Sequence, residues 1–385
     1  MFLQGVSMAT ILDLHPKERI EKTIKEINLM LEQGIHKPAI LEQFDIEQIE
    51  EIYSIAIARR KAKTKGFAEN LYFNEDDFRF ATPKIVADYR AKRLGCNAIA
   101  DLGCSAGTQA FAFAKTCKKV FAVEIDERKM RYAIENAKIL GIHNVEFVFG
   151  DVLDEKIIGK IKNADSFFCD PSRLAEESER KLETITPNPK LLLEKYPKNI
   201  AIEFPPQIGK ISFDCEREYL SVNGHLNRLT LYFGDLKKTD VSAVALPSGE
   251  RIEYDGTVEF VMDSKKCLPL EYLYEVDSAI VKAGMFWQIA KLTKTIPIEI
   301  GILTSDKLIK NPFFRNSFRV LDAVHHDFDS IVHSLEKHDI GQVVIRYKIL
   351  PRDYWTERTR YEKYLKGKKT AHLFMFEKAV VAEKL

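Results

Sequence analysis

The sequence is poor in the residues that interrupt or staple a chain. It holds 18 Gly and 14 Pro in 385 residues. That is about 8% together against roughly 12% in average usage, so neither a collagen-like repeat nor a long disordered tract is expected. Cysteine is scarce: Cys96, Cys104, Cys117, Cys169, Cys215 and Cys267 are scattered, with no C-x-x-C pair. Such spacing argues against a disulfide framework and against a zinc site, and the six read as reduced core or near-site thiols. No apolar run approaches the roughly 18 residues that a membrane-spanning helix needs. The opening stretch, MFLQGVSMATILDLHPKERI, lacks the basic start of a signal peptide, and Met8 is an alternative first residue. A cytoplasmic protein without membrane or metal partners is therefore the expectation. An excess of either charge is missing too. Lys and Arg number 58 against 57 Asp and Glu, a net +1, so only local patches, not the whole-molecule field, can hold nucleic acid.

The hydrophobic share of 45% is ordinary for a chain with a real core. At about 100–200 residues per domain, the length suggests two or three domains. Residues 1–78 read as a helical region. Ile20, Ile24, Ile27 and Leu31 fall at helical spacing before Gly34, and Asp45 with Gln48 resembles a capping box opening a helix through Ile46, Ile49, Tyr53 and Ile57. That helix ends in a basic run, Arg59, Arg60, Lys61, Lys63 and Lys65, either a second ligand contact or a charged helix end. Thr82-Pro83 reads as an N-cap followed by Pro at the first helical position, with the helix running through Leu94. Strands NAIADL, KVFAVEI, NVEFVFG, DSFFCD and NIAIEF then alternate with helical segments, which predicts an α/β fold with a parallel sheet. NRLTLYFG and VSAVALPSG read as an antiparallel pair closing the sheet edge over 79–262. A smaller α+β domain is expected over 263–385, with helices near 277–291, 326–338 and 351–366.

The chemistry concentrates at strand ends. In IADLGCSAGTQAFAFA, Asp101 ends a strand, Gly103 and Gly107 bracket a tight turn kept small by Ser105 and Ala106, and a helix starts near Thr108. Glycines permit positive φ and let a ligand lie against the backbone. The next strand ends in Glu124, an acid able to accept both hydroxyls of a ribose; the third ends in Gly150-Asp151; the fourth ends in Asp170-Pro171-Ser172-Arg173. All four therefore deliver polar groups to the C-terminal edge, where open α/β sheets bind ligands. A nicotinamide dinucleotide is the alternative ligand, but Thr108 breaks the G-x-G-x-x-G pattern.

D-L-G-C-S-A-G, V-E-I-D, G-D-V and D-P-S-R, in this order, resemble the motifs of class I S-adenosylmethionine-dependent methyltransferases over roughly residues 80–250. The resemblance implies a Rossmann-like seven-stranded sheet and S-adenosylmethionine as cofactor. Asp101, Gly103, Ser105 and Gly107 would line its methionyl part; Ser105 departs from the glycine many members carry. Glu124 would bind the ribose, Ile125 would lie against adenine, and Asp151 with Val152 would meet the adenine edge. In F-R-F-A-T-P, Phe80 and Thr82 would lie over the cofactor. Asp/Asn-Pro-Pro-aromatic after the fourth strand marks methylation of exocyclic base amines. This chain keeps Asp170 and Pro171 but has Ser172 and Arg173, losing the stacking aromatic. Arg173 would hold a base or phosphate, or else pair with Glu176 or Glu177. Phe204 in EFPPQI is a candidate stacking ring, with core packing as its alternative.

YLYEVDSAIVKAG, ILTSDK, FFRNSFRVL and GQVVIRYKILP resemble the THUMP-like, ferredoxin-related domain found behind a methyltransferase, which implies tRNA or related RNA as partner. Residues 341–370 support that independently. Arg346, Lys348, Arg352, Arg358, Arg360, Lys363, Lys366, Lys368 and Lys369 face only Asp353, Glu357 and Glu362, interleaved with Tyr347, Tyr354, Trp355, Tyr361 and Tyr364. Cations for phosphates with aromatics for exposed bases is an RNA-binding pattern; a solvated helix face is the alternative. His325-His326 lacks further metal ligands at sensible spacing. The expected activity is methylation of an exocyclic base amine in RNA, first tRNA, with guanine N2 ahead of adenine N6. Two alternatives stand beside it: a protein or small-molecule acceptor, and a non-catalytic RNA-binding protein with a vestigial site.

Overall fold

A computed structural model of the chain describes residues 9–172, 184–197, 199–209, 211–257 and 268–385. It divides into two compact units, Met1–Cys215 with Thr230–Lys238, and Glu216–Leu229 with Thr239–Leu385.

The first unit opens with helices α1 (Ile11–Leu14), α2 (Lys17–Glu32), α3 (Lys37–Leu41), α4 (Ile49–Lys61) and α5 (Glu75–Phe80). Ile20, Ile24 and Ile27 of α2 share a buried cluster with Ile52, Ile55 and Ala56 of α4, and with Leu71, Tyr72, Phe73 and Phe78. The Asp45–Gln48 capping box does not form. Gln48 is itself the N-cap of α4, at φ 56, without a side-chain cap, and its amide Nε2 instead donates to the Ala9 carbonyl at 2.8 Å. The basic run is consumed internally. Arg59 makes a bidentate pair with Glu21 at 2.6 and 2.8 Å, Arg60 faces Glu32, Lys61 faces Glu75, and Lys63 faces Glu69. Lys65 Nζ donates to the carbonyls of Phe78, Arg79 and Ala81 at 2.7–2.8 Å. It is a charged helix end that clamps the turn after α5.

Helix α6 (Lys84–Arg93) starts one residue later than the sequence suggests. Pro83 rather than Thr82 is its N-cap, because the Pro83 carbonyl accepts the first helical bonds, from Val86 and Ala87, and Thr82 is buried. The sheet then builds as expected through β1 (Ala98–Leu102), α7 (Thr108–Phe113), β2 (Lys119–Glu124), α8 (Glu127–Leu140), β3 (Val145–Phe149), α9 (Glu155–Ile161), β4 (Ser166–Cys169), α10 (Pro189–Lys195) and β5 (Ile200–Phe204). The order is β3-β2-β1-β4-β5, with every pair parallel. Connections through helices put each strand's C-terminal end on the same edge.

The expected antiparallel pairing of NRLTLYFG with VSAVALPSG is wrong. After β6 (Glu216–Val222) the chain turns at Asn223-Gly224, both at positive φ (52 and 76), into β7 (His225–Tyr232). Two such residues are what a two-residue hairpin turn requires. Strand β6 therefore lies between β7 and β8 (Val241–Leu246); β8 runs parallel to β6 and antiparallel to β9 (Glu250–Glu253). The order β3-β2-β1-β4-β5-β7-β6 is a Rossmann-like methyltransferase sheet with the reversed seventh strand inserted.

The second unit continues with β10 (Tyr272–Val276), α11 (Ser278–Lys282), α12 (Phe286–Thr293), β11 (Ile296–Glu299), β12 (Ile302–Ser305), β13 (Phe314–Val324), α13 (Phe328–Lys337), β14 (Ile340–Ile345), α14 (Tyr354–Glu362), β15 (Lys369–Met375) and β16 (Ala379–Lys384). The helix expected near 277–291 is two helices, broken where Gly284 takes φ 75. The sheet order is β11-β12-β10-β13-β16-β15-β14, antiparallel except for the parallel β14–β15 pair. Among the described residues, no helix is long and apolar enough to cross a membrane.

Candidate active site

The loop after β1 is folded back onto β2. The Val123 carbonyl accepts from the amides of both Gly103 and Cys104, at 2.9 and 2.8 Å. Gly103, Ser105 and Gly107 have φ of 100, 50 and 95, so Ser105 adopts a conformation that costs an L-residue energy and that glycine would take freely. At Gly107 an added Cβ would run into the Phe111 ring, whereas at Gly103 it would meet open space. The loop is thus tight against α7 and open at Gly103. Asn136 of α8, fully buried, holds it from behind. Its Nδ2 donates to the carbonyls of Ala106 and Tyr72, and its Oδ1 accepts from the Tyr72 amide at 2.7 Å.

Glu124 is buried at the end of β2. Its Oε1 accepts from the amides of Ile125 and Asp126, and its Oε2 from Ser105, all at 2.8–2.9 Å. One bond on Oε2 leaves a lone pair for a hydroxyl donor. Ile125 and Phe149, on neighbouring strand ends, are 63% and 55% exposed, two apolar faces beside the loop. Asp151 Oδ1 accepts from the Leu153 amide at 2.9 Å; Val152 is buried, its carbonyl accepting the Tyr196 hydroxyl. Phe80 is exposed on the turn clamped by Lys65.

Asp101 is 1% exposed, and among the described residues its Oδ2 has no hydrogen-bond partner. Burial pushes its carboxyl up to about 8; Asp170 and Glu124 push the same way, and Arg90 opposes them. Asp170 and Pro171 follow β4 directly, Asp170 half-buried and Pro171 buried. Ser172 pairs with Thr186, at 2.8 and 3.1 Å between backbones. Arg173 lies outside the described residues. Phe204 is 1% exposed, so it takes the packing alternative and offers no face for stacking a base.

Sequence reasoning missed Arg90 and Asn136. Arg90 is 2% exposed, paired with Glu203 of β5, hydrogen-bonded to Gln109 Oε1 at 2.7 Å and stacked over Phe168 at 4.4 Å. A signal existed: Arg90 falls on the apolar stripe Val86, Ala87, Ala91 and Leu94, where an unpaired charge would not be tolerated.

In the second unit the basic stretch divides. Arg346 is bound internally, its Nε to His372 Nδ1 at 2.9 Å and its guanidinium facing Glu275 at 3.4 Å, so it is not the free phosphate ligand expected of it. Arg358 is held by Glu362 at 2.7 Å and lies over Trp355. Arg360 is half-exposed, between Glu357 and the Phe328 ring. Lys348 and Lys363 are exposed, Lys363 over the exposed Tyr364 ring, and Trp355 is 66% exposed. Among the described residues, no group of three or more His, Cys, Asp or Glu is placed to hold a metal ion.

A family model described as a methyltransferase domain matches residues 95–199. A Mycobacterium tuberculosis protein described as an uncharacterized S-adenosylmethionine-dependent methyltransferase is 23% identical over 309 residues, which span 75% of this chain and 80% of that relative. A Leptospira interrogans protein described as an uncharacterized RNA methyltransferase is 35% identical over 83 residues, 22% of this chain and 21% of its own length. The crystal structure of a candidate methyltransferase from Porphyromonas gingivalis W83 shares the fold, with a TM-score of 0.71 at 16% identity over 96% of this chain and 99% of that one. Fold, strand-end acids and matches together define a class I S-adenosylmethionine-dependent methyltransferase domain. The chain is an S-adenosylmethionine-dependent methyltransferase, and S-adenosylmethionine is its cofactor. The residues present fit that group: open space stands before Gly103, a buried Asp101 carboxyl oxygen has no hydrogen-bond partner among the described residues, and Glu124 Oε2 keeps a lone pair beside its one bond from Ser105.

Proposed function

We propose that this methyltransferase acts on RNA, first tRNA, and methylates an exocyclic base amine, guanine N2 ahead of adenine N6. The observation that carries the reading is the Asp170-Pro171 corner at the end of β4, where Asp170 helps to raise the neighbouring Asp101 carboxyl. Bound S-adenosylmethionine supplies an electrophilic methyl group. Asp170 and the Pro171 carbonyl would accept hydrogen bonds from the amine and aim its lone pair, so that the chain's contribution is orientation and exclusion of water rather than strong base catalysis. Asp101, Gly103, Ser105 and Gly107 would hold the methionyl part, Glu124 the ribose, and Ile125, Asp151 and Val152 the adenine, with Thr82 behind the turn that carries Phe80.

Two further observations support RNA as substrate. The Leptospira match and those in Clostridium tetani and Fusobacterium nucleatum carry the description RNA methyltransferase. Trp355 and the Lys363–Tyr364 pair expose aromatic and basic groups together on the second unit, a pattern suited to unstacked bases and phosphates. We read residues 263–385, the larger part of that unit, as THUMP-like, behind a methyltransferase domain at 79–262 and a helical region at 1–78; the protein is cytoplasmic in this reading. A protein or small-molecule acceptor is the second reading, favoured by the burial of Phe204, which therefore offers no stacking face.

The test is transfer of labelled methyl from S-adenosylmethionine to unmodified bulk tRNA, followed by nucleoside analysis. Label in N2-methylguanosine is expected. Absence of label from tRNA and ribosomal RNA, with cofactor bound, overturns the RNA reading and points to the second.

A further inference from the structure

The buried end of β1 holds more negative groups than positive ones. Asp101 is almost fully buried, with one carboxyl oxygen unpartnered among the described residues. The groups acting on it come from every element around it. Glu124 lies on β2, Cys169 and Asp170 at the end of β4, Cys104 in the loop, and the Ala110 amide on α7. Arg90 on α6 is the cation in that set. Its guanidinium is already committed to Glu203 of β5 and to Gln109, with its face on Phe168. The Glu203 carboxylate thus neutralises Arg90, and Glu124 is stabilised by three backbone amides. An ionised Asp101 would be a buried charge whose nearby cation, Arg90, is already paired with Glu203, which is the costly state.

We propose that Asp101 is a neutral carboxylic acid in the ligand-free protein and gives up its proton when a cationic ligand enters the loop, with Arg90, restrained by Glu203, as the positioning residue that sets how readily the proton leaves. The step balances simply: the Asp101 O–H bond breaks, the proton passes to solvent, and the carboxylate faces the ligand's ammonium or sulfonium. Cofactor uptake is then proton-coupled. Affinity rises with pH through neutrality, by up to about tenfold per unit, and levels off once Asp101 is already ionised in the free protein. The inference rests on the reading of Asp101 as part of the cofactor site.

Calorimetric titration of the full chain with S-adenosylhomocysteine, at pH 7 in buffers of small and large ionisation enthalpy, counts the protons released. The wild type should release close to one proton at pH 7 and almost none at pH 9. Asp101→Asn should bind without proton release. Glu203→Gln leaves Arg90's charge uncompensated, so Asp101 should already be ionised and proton release at pH 7 should fall, a shift that mere loosening of the fold does not produce. Tight wild-type binding with no proton release overturns this inference alone and leaves the cofactor site standing. Release by Asp101→Asn equal to the wild type also overturns it. No binding of S-adenosylhomocysteine or S-adenosylmethionine at any pH overturns both.

Discussion

Replacing Gly107 with alanine tests the geometry of the cofactor loop in a way that separates its two demands. Gly107 has φ 95, and an added Cβ would run into the ring of Phe111, which is itself buried one turn along α7. The left-handed conformation costs an L-residue roughly 1–2 kcal/mol. Forcing a methyl into a packed site costs typically about 1–3 kcal/mol more. Gly107→Ala should therefore destabilise the first unit by about 2–5 kcal/mol in sum. For a unit of this size that lowers its melting temperature by roughly 4–20 °C. The assay is thermal unfolding alongside calorimetric titration with S-adenosylhomocysteine, whose affinity should fall as the loop shifts. A second substitution separates the causes. In Gly107→Ala with Phe111→Ala the clash is gone and the φ strain remains, so the two changes should be less than additive by about 1–3 kcal/mol. Gly107→Ala with an unchanged melting temperature and unchanged affinity would refute the reasoning. Strict additivity of the pair would refute the steric half of it.

The other predictions concern chemistry and charge. Asp170→Ala should abolish turnover while leaving affinity for S-adenosylhomocysteine within about twofold; undiminished turnover removes Asp170 from the catalytic role. Glu124→Ala should weaken cofactor binding and free the Ser105 amide; equal affinity by calorimetry counts against the ribose assignment. His372, buried and beside Arg346, has its imidazole held down to about 4, with burial the first cause and Arg346 the second. An unfolded chain takes up that proton near pH 6.5 and the folded one resists it, so stability present above about pH 6.5 is lost as pH falls toward 4, by at most roughly 3 kcal/mol. His372→Gln should flatten that part of the urea-unfolding profile; an unchanged slope between pH 6.5 and 4.5 contradicts it. Charge reversal at Lys348, Arg360 and Lys363 should weaken RNA binding and reduce its salt dependence; an unaltered salt slope would exclude this face as the RNA contact.

What the sequence reveals and what it hides follow from distance along the chain. The parallel sheet is legible because its strands are short apolar runs, and β1 to β4 each end in, or run directly into, Gly or an acid. The loop is legible for the same reason, since Asp101, Gly103 and Gly107 lie within seven residues. The β6–β7 hairpin was signalled locally by Asn223-Gly224, but reading SVNGHLNRLTLYFG as one stretch hid the turn. Arg90 and Asn136 were hidden because their partners are remote: Glu203 lies 113 residues from Arg90 and Tyr72 lies 64 from Asn136. The basic run at 59–65 left a ligand contact and a charged helix end both open because its acids, Glu21, Glu32, Glu69 and Glu75, arrive through the fold. Arg346 was misread likewise, its partners His372 and Glu275 sitting on other strands.

The most direct test of the central claim, that the strand ends of β1 to β4 form the cofactor site, is a crystal structure of the chain with S-adenosylhomocysteine bound. The ribose hydroxyls should lie on Glu124 Oε2, the amino group beside Asp101, and the adenine between Ile125 and Asp151, with the sulfur facing Asp170. Ligand bound elsewhere, or a ribose out of reach of Glu124, would contradict the account.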